Sequence, residues 1–245
     1  MVCLRLLLVM ALGLGAEMAR AATLIAVDNA NPPFMYLHNG QVEGLYPRLL
    51  QRVFERLGEP VTFQALPWKR ALALGESGST GIGGIYKNAQ REQLYDFSAP
   101  LLEERILVYV RQDQRFDFQG IADLHGRRVG VIRGWTYSEA FDQAAKQGHI
   151  QVKENASDAS NFKMLASGRL DAVLAIEQAG QYSIRRLHLP QIVALEQPLN
   201  INPTYLVFAK SAHRQALLTR VDQILSAMRE DGSLTALVQD SLAAE

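Results

Sequence analysis

Between Gly78 and Gly84 the chain places four glycines in seven residues, GSTGIGG, and Lys87 and Arg91 follow. Glycines ahead of a cation are a common way to hold phosphate, because backbone N–H groups can close on the anion with no Cβ in the way. The spacing decides against that use. The phosphate loop G-x-x-x-x-G-K-[ST] sets Lys directly after glycine, whereas Lys87 stands three residues beyond Gly84 and precedes Asn88. The dinucleotide fingerprint G-x-G-x-x-G needs a third glycine where this chain has Tyr86, too bulky for the close helix–strand contact made there. The histidines at 38, 125, 149, 188 and 213 are scattered, with no i, i+4 pair and no cysteine partner, so a metal site is unsupported. No G-x-S-x-G nucleophile elbow occurs. No cofactor is expected. What remains is Arg91, a lone arginine among polar residues, whose use the spacing alone leaves open.

A second glycine turn, Gly134-Trp135-Thr136, follows the apolar run Arg128 to Ile132 and is expected to open a helix. Free N–H groups at a helix start favour an anion. The chain as a whole carries 25 basic and 25 acidic residues, so nothing suggests a general affinity for nucleic acid or a membrane surface. Hydrophobic residues make up 48%, enough for a substantial core.

The elements that must position these residues alternate. Thr23 to Val27 reads as a strand, followed by a loop through the paired prolines Pro32 and Pro33. A hairpin turns at Asn39-Gly40. Leu45, Leu49, Leu50, Val53, Phe54 and Leu57 share one helical face that Gly58 and Pro60 end. A strand, a short helix from Trp68 and the glycine-rich stretch come next, then the strand ILVYVRQ from Ile106. The pattern then restarts with a strand, a glycine turn, a helix ending near Gly148, another strand, a helix capped by Ser157 or Asp158, and the buried strand LDAVLAI. NPTYLVFAK is a last strand, and two helices broken at Asp231-Gly232 close the chain. Strands alternating with helices imply α/β with mixed, mostly parallel sheets in two halves. The glycines are read as a strand running close to the floor of a cleft, leaving room for a ligand.

At the N-terminus, Arg5 precedes an apolar run from Leu6 and the small-x-small site Ala19-Arg20-Ala21, the pattern of a secretory signal peptide cleaved after Ala21. The run is too short for a membrane span. The single cysteine, Cys3, lies ahead of it, which rules out a lipoprotein signal and leaves the mature chain without disulfides. A periplasmic location is expected.

Four stretches, in order, resemble the bacterial extracellular solute-binding proteins of family 3, receptors of polar amino-acid ABC transporters: NPPFMYLHNGQVEGLYPRLLQRVFERLG, REQLYDFSAPLLEE, LHGRRVGVIRGWTYSE and MLASGRLDAVLA. The resemblance covers nearly all of the mature chain. It implies two α/β lobes that close like a hinge on a ligand: residues 22–110 with 201–245 form one lobe, residues 111–200 the other, and residues 1–21 the signal peptide. The crossings fall at residues 109–112 and 199–204.

The resemblance also implies a site. The arginine five residues before Asp96-Phe97-Ser98 is Arg91, and in the family that arginine grips the ligand's carboxylate, which its planar fork suits. Thr136 matches a threonine used on the same carboxylate, Trp68 an aromatic cleft wall, and Asp28 an acidic ligand contact. Trp135 is a candidate wall, and Arg70 and Arg133 are candidate cations beside the cleft. Two departures from the family matter. Gly84 and Tyr86 replace its hydroxyl pair, and Ile176 replaces the acid that grips the α-ammonium, with Glu177 one residue on. The expectation is a monomer without enzymatic activity that binds a small polar, carboxylate-bearing ligand and delivers it to an inner-membrane ABC permease. A dehydratase-like enzyme of the same fold and a receptor for a signalling partner are the alternatives.

Overall fold

Strand β1 (Thr23–Asp28) is followed by the short β2 (Ala30–Asn31), the hairpin β3 (Met35–His38) and β4 (Gln41–Glu43), then α1 (Leu45–Leu57), β5 (Val61–Leu66), α2 (Trp68–Glu76), β6 (Gly81–Tyr86), α3 (Ala89–Leu94) and β7 (Tyr95–Phe97). The long β8 (Glu103–Arg111) leads into β9 (Arg128–Ile132), α4 (Glu139–Lys146), β10 (Gln151–Asn155), α5 (Asp158–Ala166), β11 (Ala172–Ile176), α6 (Glu177–Leu187) and β12 (Ile192–Ala194). β13 (Asn200–Ala209) returns to the first half, and α7 (Gln215–Glu230) and α8 (Ser233–Ala243) pack there against α1. These elements belong to a computed structural model that describes residues 21–243, so the expected signal peptide, apart from Ala21, lies outside the described residues.

The sheet path runs β10-β9-β11-β8-β13-β6-β1-β5, with β12 beside β8 and β7 beside β13. β1 is parallel to β5 and β6, and β9 is parallel to β10 and β11. The antiparallel pairs gather in the middle, where β8 and β13 join the halves. β13 pairs with β8 through Asn200–Pro203 and with β6 from Thr204 onward. β8 pairs with β11 over Ile106–Tyr109, so the crossing expected at residues 109–112 falls inside the second half, and the chain changes halves just before Glu103. The run ILVYVR is apolar throughout, so it carries no mark of where its partners change.

Alternation explains that run. Ile106, Val108 and Val110 face the main core, whereas Leu107 and Tyr109 face a second cluster with Phe162, Leu165 and Val173. A strand covered on both faces has no polar side to show. α1 is the opposite case. Leu45, Leu49, Leu50, Val53 and Phe54 are buried on one stripe, and Gly58 ends the helix in the left-handed conformation. Burial of each such side chain contributes roughly 1.5–3 kcal/mol.

β6 is buried along its whole length. A Cβ on Gly81 would lie 2.7 Å from the Phe208 ring, and one on Gly83 would lie 2.8 Å from Leu50. These two glycines therefore admit core side chains and do not form a cleft floor, a correction to the sequence reading. Gly84, with φ 75°, borders both: its Cβ would strike Tyr46, and it also lines the cavity described below. Helices α3 and α6 escaped the sequence reading. The buried face of α6 is Ala179, Gly180 and Ser183, small residues that leave almost no apolar period.

Candidate ligand-binding cleft

Parallel strands end on a common edge, and in open α/β sheets ligands bind beyond the carboxyl ends. In the first half those ends carry Asp28 (β1), Trp68 (after β5) and Tyr86 with the turn to Arg91 (β6). In the second half they carry Gly134–Thr136 (after β9), Ser157 and Asp158 (after β10), and Ile176 and Glu177 (at β11). The two edges meet. The Arg91 Nη2 donates to the Gly134 carbonyl at 3.3 Å, and the Trp135 indole N–H donates to Asp28 Oδ2 at 3.2 Å. The Trp135 ring lies 6.2 Å from Trp68 and 5.9 Å from Tyr86. Trp68, Gly84, Tyr86, Arg91, Trp135 and Thr136 enclose a cavity of only about 10 Å³, about one water's worth. Trp135 thus occupies the cleft. A wider pocket of about 360 Å³ adjoins this cavity through Tyr86 and Thr136, and Lys87, Asn88, Asp142 and Asn202 are among its lining residues.

Arg91 is 7% exposed. Its Nη1 donates to the Tyr86 carbonyl at 2.7 Å, and α3, whose cap Asn88 accepts from the Arg91 backbone N–H, fixes its position. Burial pulls its basicity down to about 10, and the nearby Tyr95, Asp142 and Tyr86 pull it back up. None of the ion pairs among the described residues includes Arg91. A buried guanidinium with two carbonyl acceptors and no carboxylate is poised for an anion.

The glycine turn departs from its expected place at a helix start. The helix begins only at Glu139, with Ser138 as its cap, so Gly134–Thr136 is not a helix N-terminus. The Trp135 N–H is already given to the Ile132 carbonyl, and the Thr136 hydroxyl donates to Asp142. Burial raises the Asp142 carboxyl above its ordinary range, against the lowering effect of those bonds and of Arg91. Arg70 is exposed on α2, and Arg133 is exposed and 3.7 Å from Glu154, and neither lines the Trp135 cavity or the wider pocket beside it. Each sits on a polar face that sequence adjacency to a cleft residue could not reveal. Glu177 starts α6 and pairs with Arg105 at 2.9 Å. His125 and His149 come together at 4.9 Å between ring centroids, but among the described residues no third metal ligand joins them.

Two buried acids were missed. Glu104, 3% exposed at the crossing, accepts from the Tyr46 and Tyr86 hydroxyls, and burial pushes it up to about 7. Asp158, 3% exposed at the start of α5, is pushed up to about 7 by burial and by the Asp28 carboxyl from the other half. The first lies in a strand with no polar period and the second reads as an ordinary helix-cap residue. Asp28 itself, 1% exposed, is pushed by burial up to about 6 although Trp135, Ala30 and Asn29 donate to it.

The sequence pattern of bacterial extracellular solute-binding proteins, family 3, matches residues 24–242. The L-cystine-binding protein TcyJ of Escherichia coli (strain K12) is 25% identical over 232 residues, which cover 89% of this chain and 81% of that one. Among solved structures, a histidine kinase sensor domain with similarity to periplasmic binding proteins superposes with a TM-score of 0.82 at 22% identity, covering 91% of this chain and 97% of that one. An ancestral arginine-binding protein bound to arginine superposes at 0.79 and 22% identity, covering 91% and 98%.

Proposed function

The chain belongs to the bacterial extracellular solute-binding proteins, family 3, and from that premise we propose that it captures a small carboxylate-bearing solute, an amino acid or a relative of one, between its halves. Arg91 carries the reading: it is a buried guanidinium, bonded only to backbone carbonyls, at the meeting of the two strand edges. The ligand's carboxylate takes the place of the Gly134 carbonyl on Nη2, and Trp135 swings out of the cleft to admit it. β8 and β13 act as the hinge. One lobe is residues 22–102 with 201–245 and the other 103–200, the first boundary lying in the turn before Glu103 and not at residue 110. The bound solute passes to an inner-membrane ABC permease, and the protein acts as a periplasmic monomer that leaves its ligand chemically unchanged.

A thermal-shift screen over amino acids, amine-free carboxylates and oligoamines tests this. At least one carboxylate is expected to raise Tm, and Arg91→Ala is expected to weaken that ligand about 100-fold or more. Unchanged affinity in the variant removes the reading. A ligand converted during long incubation favours the dehydratase-like alternative. Uptake of the labelled ligand that is unaffected by deleting the protein favours a receptor for a signalling partner.

A further inference from the structure

We propose that Asp158, buried at the carboxyl end of β10, holds the cationic group of the ligand whose carboxylate Arg91 takes. The proposal rests on the reading of Arg91 as the carboxylate anchor and adds the second pole.

Topology puts Asp158 there. It follows β10, whose carboxyl end lies on the same edge as those of β9 and β11, and α5 then leads away from the cleft. The side chain is 3% exposed, and Oδ1 is buried without a hydrogen-bond partner. Ser157, not Asp158, supplies the cap of α5 by accepting from the Ser160 N–H. A carboxylate oxygen shut from water with no donor is costly, and its natural complement is a charged N–H.

The opposite wall offers matching groups. Asp28 is near enough for its charge to act on Asp158. Its Oδ2 is met by the Trp135 indole, the same side chain that must leave when the cleft admits a ligand. Asn31, three residues on, is fully buried with both side-chain amide atoms unpartnered. An ammonium has three donors and can serve both carboxylates at once. Arg91, in contrast, is a buried cation whose guanidinium bonds only backbone carbonyls, with the Asp142 carboxyl near enough for its charge to act on it. The two halves together thus present a buried guanidinium and a pair of buried acids, which is the complement of a zwitterion.

The sequence offers a reason for the placement. Ile176 stands at the end of β11 where the family's ammonium-binding acid is expected, and it is 1% exposed in the apolar core. β10 and β11 flank β9 on its two sides. Asp158 and Ile176 therefore stand on opposite sides of the turn at Gly134 that follows β9.

The test uses matched ligands on the intact mature chain. L-Amino acids are each paired with a carboxylic acid of equal chain length and no cationic group, such as hexanoate for lysine, and affinities are measured by calorimetry. At least one zwitterion is expected to bind about 10- to 100-fold more tightly than its partner, the worth of one charged hydrogen-bond pair. Asp158→Asn, nearly isosteric, should collapse that preference, while Arg91→Ala weakens both members. If the amine-free acids bind as well as the zwitterions, or Asp158→Asn keeps the preference, the Asp158 proposal is overturned and Arg91 stands. If neither class binds, both readings fall.

Discussion

Glu104 and Asp158 are equally buried carboxyls, each 3% exposed and each pushed up to about 7, yet their surroundings are opposite. Glu104 receives the hydroxyls of Tyr46 and Tyr86, and those bonds pull its pKa down against burial. Asp158 has an oxygen with no partner, and its neighbour Asp28 pushes its pKa up further. The Tyr46 hydroxyl also reaches Thr204 at 3.0 Å, so the Glu104 cluster ties α1, β6 and both crossing strands together. Similar proton affinities thus mark two kinds of group: one completes the fold, and the other awaits a partner. The shared value cannot separate them, whereas their hydrogen bonds do.

The comparison breaks first at Glu104. Glu104→Ala takes an acceptor from two buried tyrosine hydroxyls, of which Tyr46 keeps one at Thr204 and Tyr86 keeps none, so a loss of about 2–5 kcal/mol is expected. Urea unfolding at neutral pH measures it, and a loss below about 1 kcal/mol would mean that the cluster is not structural. Proton linkage comes next. The native Glu104 pKa, about 7, lies above its ordinary 4.5, so between those values the folded protein holds a proton that the unfolded chain has released. Stability is therefore full below about pH 4.5 and falls as pH rises toward 7, by on the order of 3 kcal/mol for this group. Asp28 and Asp158 act with the same sign. Urea midpoints across that range should decline, and Glu104→Gln should flatten much of the slope; a rising midpoint contradicts the assignment.

Trp135→Phe keeps a ring in the cleft but removes the donor to Asp28. A loss of about 1–3 kcal/mol is expected, measured as a lower Tm. Asp158→Asn should change stability by less than about 1 kcal/mol in either direction, because no bond at Oδ1 is lost and a buried acid disappears. A large destabilisation would make it a second Glu104. Smallest of all, Arg133→Ala should leave Tm and ligand affinity almost unchanged, within about 0.5 kcal/mol, since its pair with Glu154 is more than half exposed.

Much of the fold was legible because its signals are local. The stripe on α1, the Gly58 stop, the Asn39-Gly40 hairpin and the break before α8 are each written in a few neighbouring residues. Helix α6 was not, because its buried face is built from small residues whose burial depends on Tyr109 packing over Gly180. The spacing of Arg91 from Asp96-Phe97-Ser98, read through the family resemblance, singled out an arginine that is the one buried arginine among the described residues. Arg70 and Arg133 were carried along by adjacency, and helix and turn geometry sent them to solvent.

The sequence by itself determined the alternation of strands and helices and the two halves, and it marked Arg91 as a candidate, since period, turn chemistry and motif spacing survive in one dimension. Only the tertiary structure decided which charges are compensated. Tyr46 and Glu104 are 58 residues apart in the chain, and Asp28 and Trp135 are 107 apart. Whether a carboxylate is held by tyrosines or left open depends on what folding brings within hydrogen-bond reach, and such contacts leave no periodic trace along the chain.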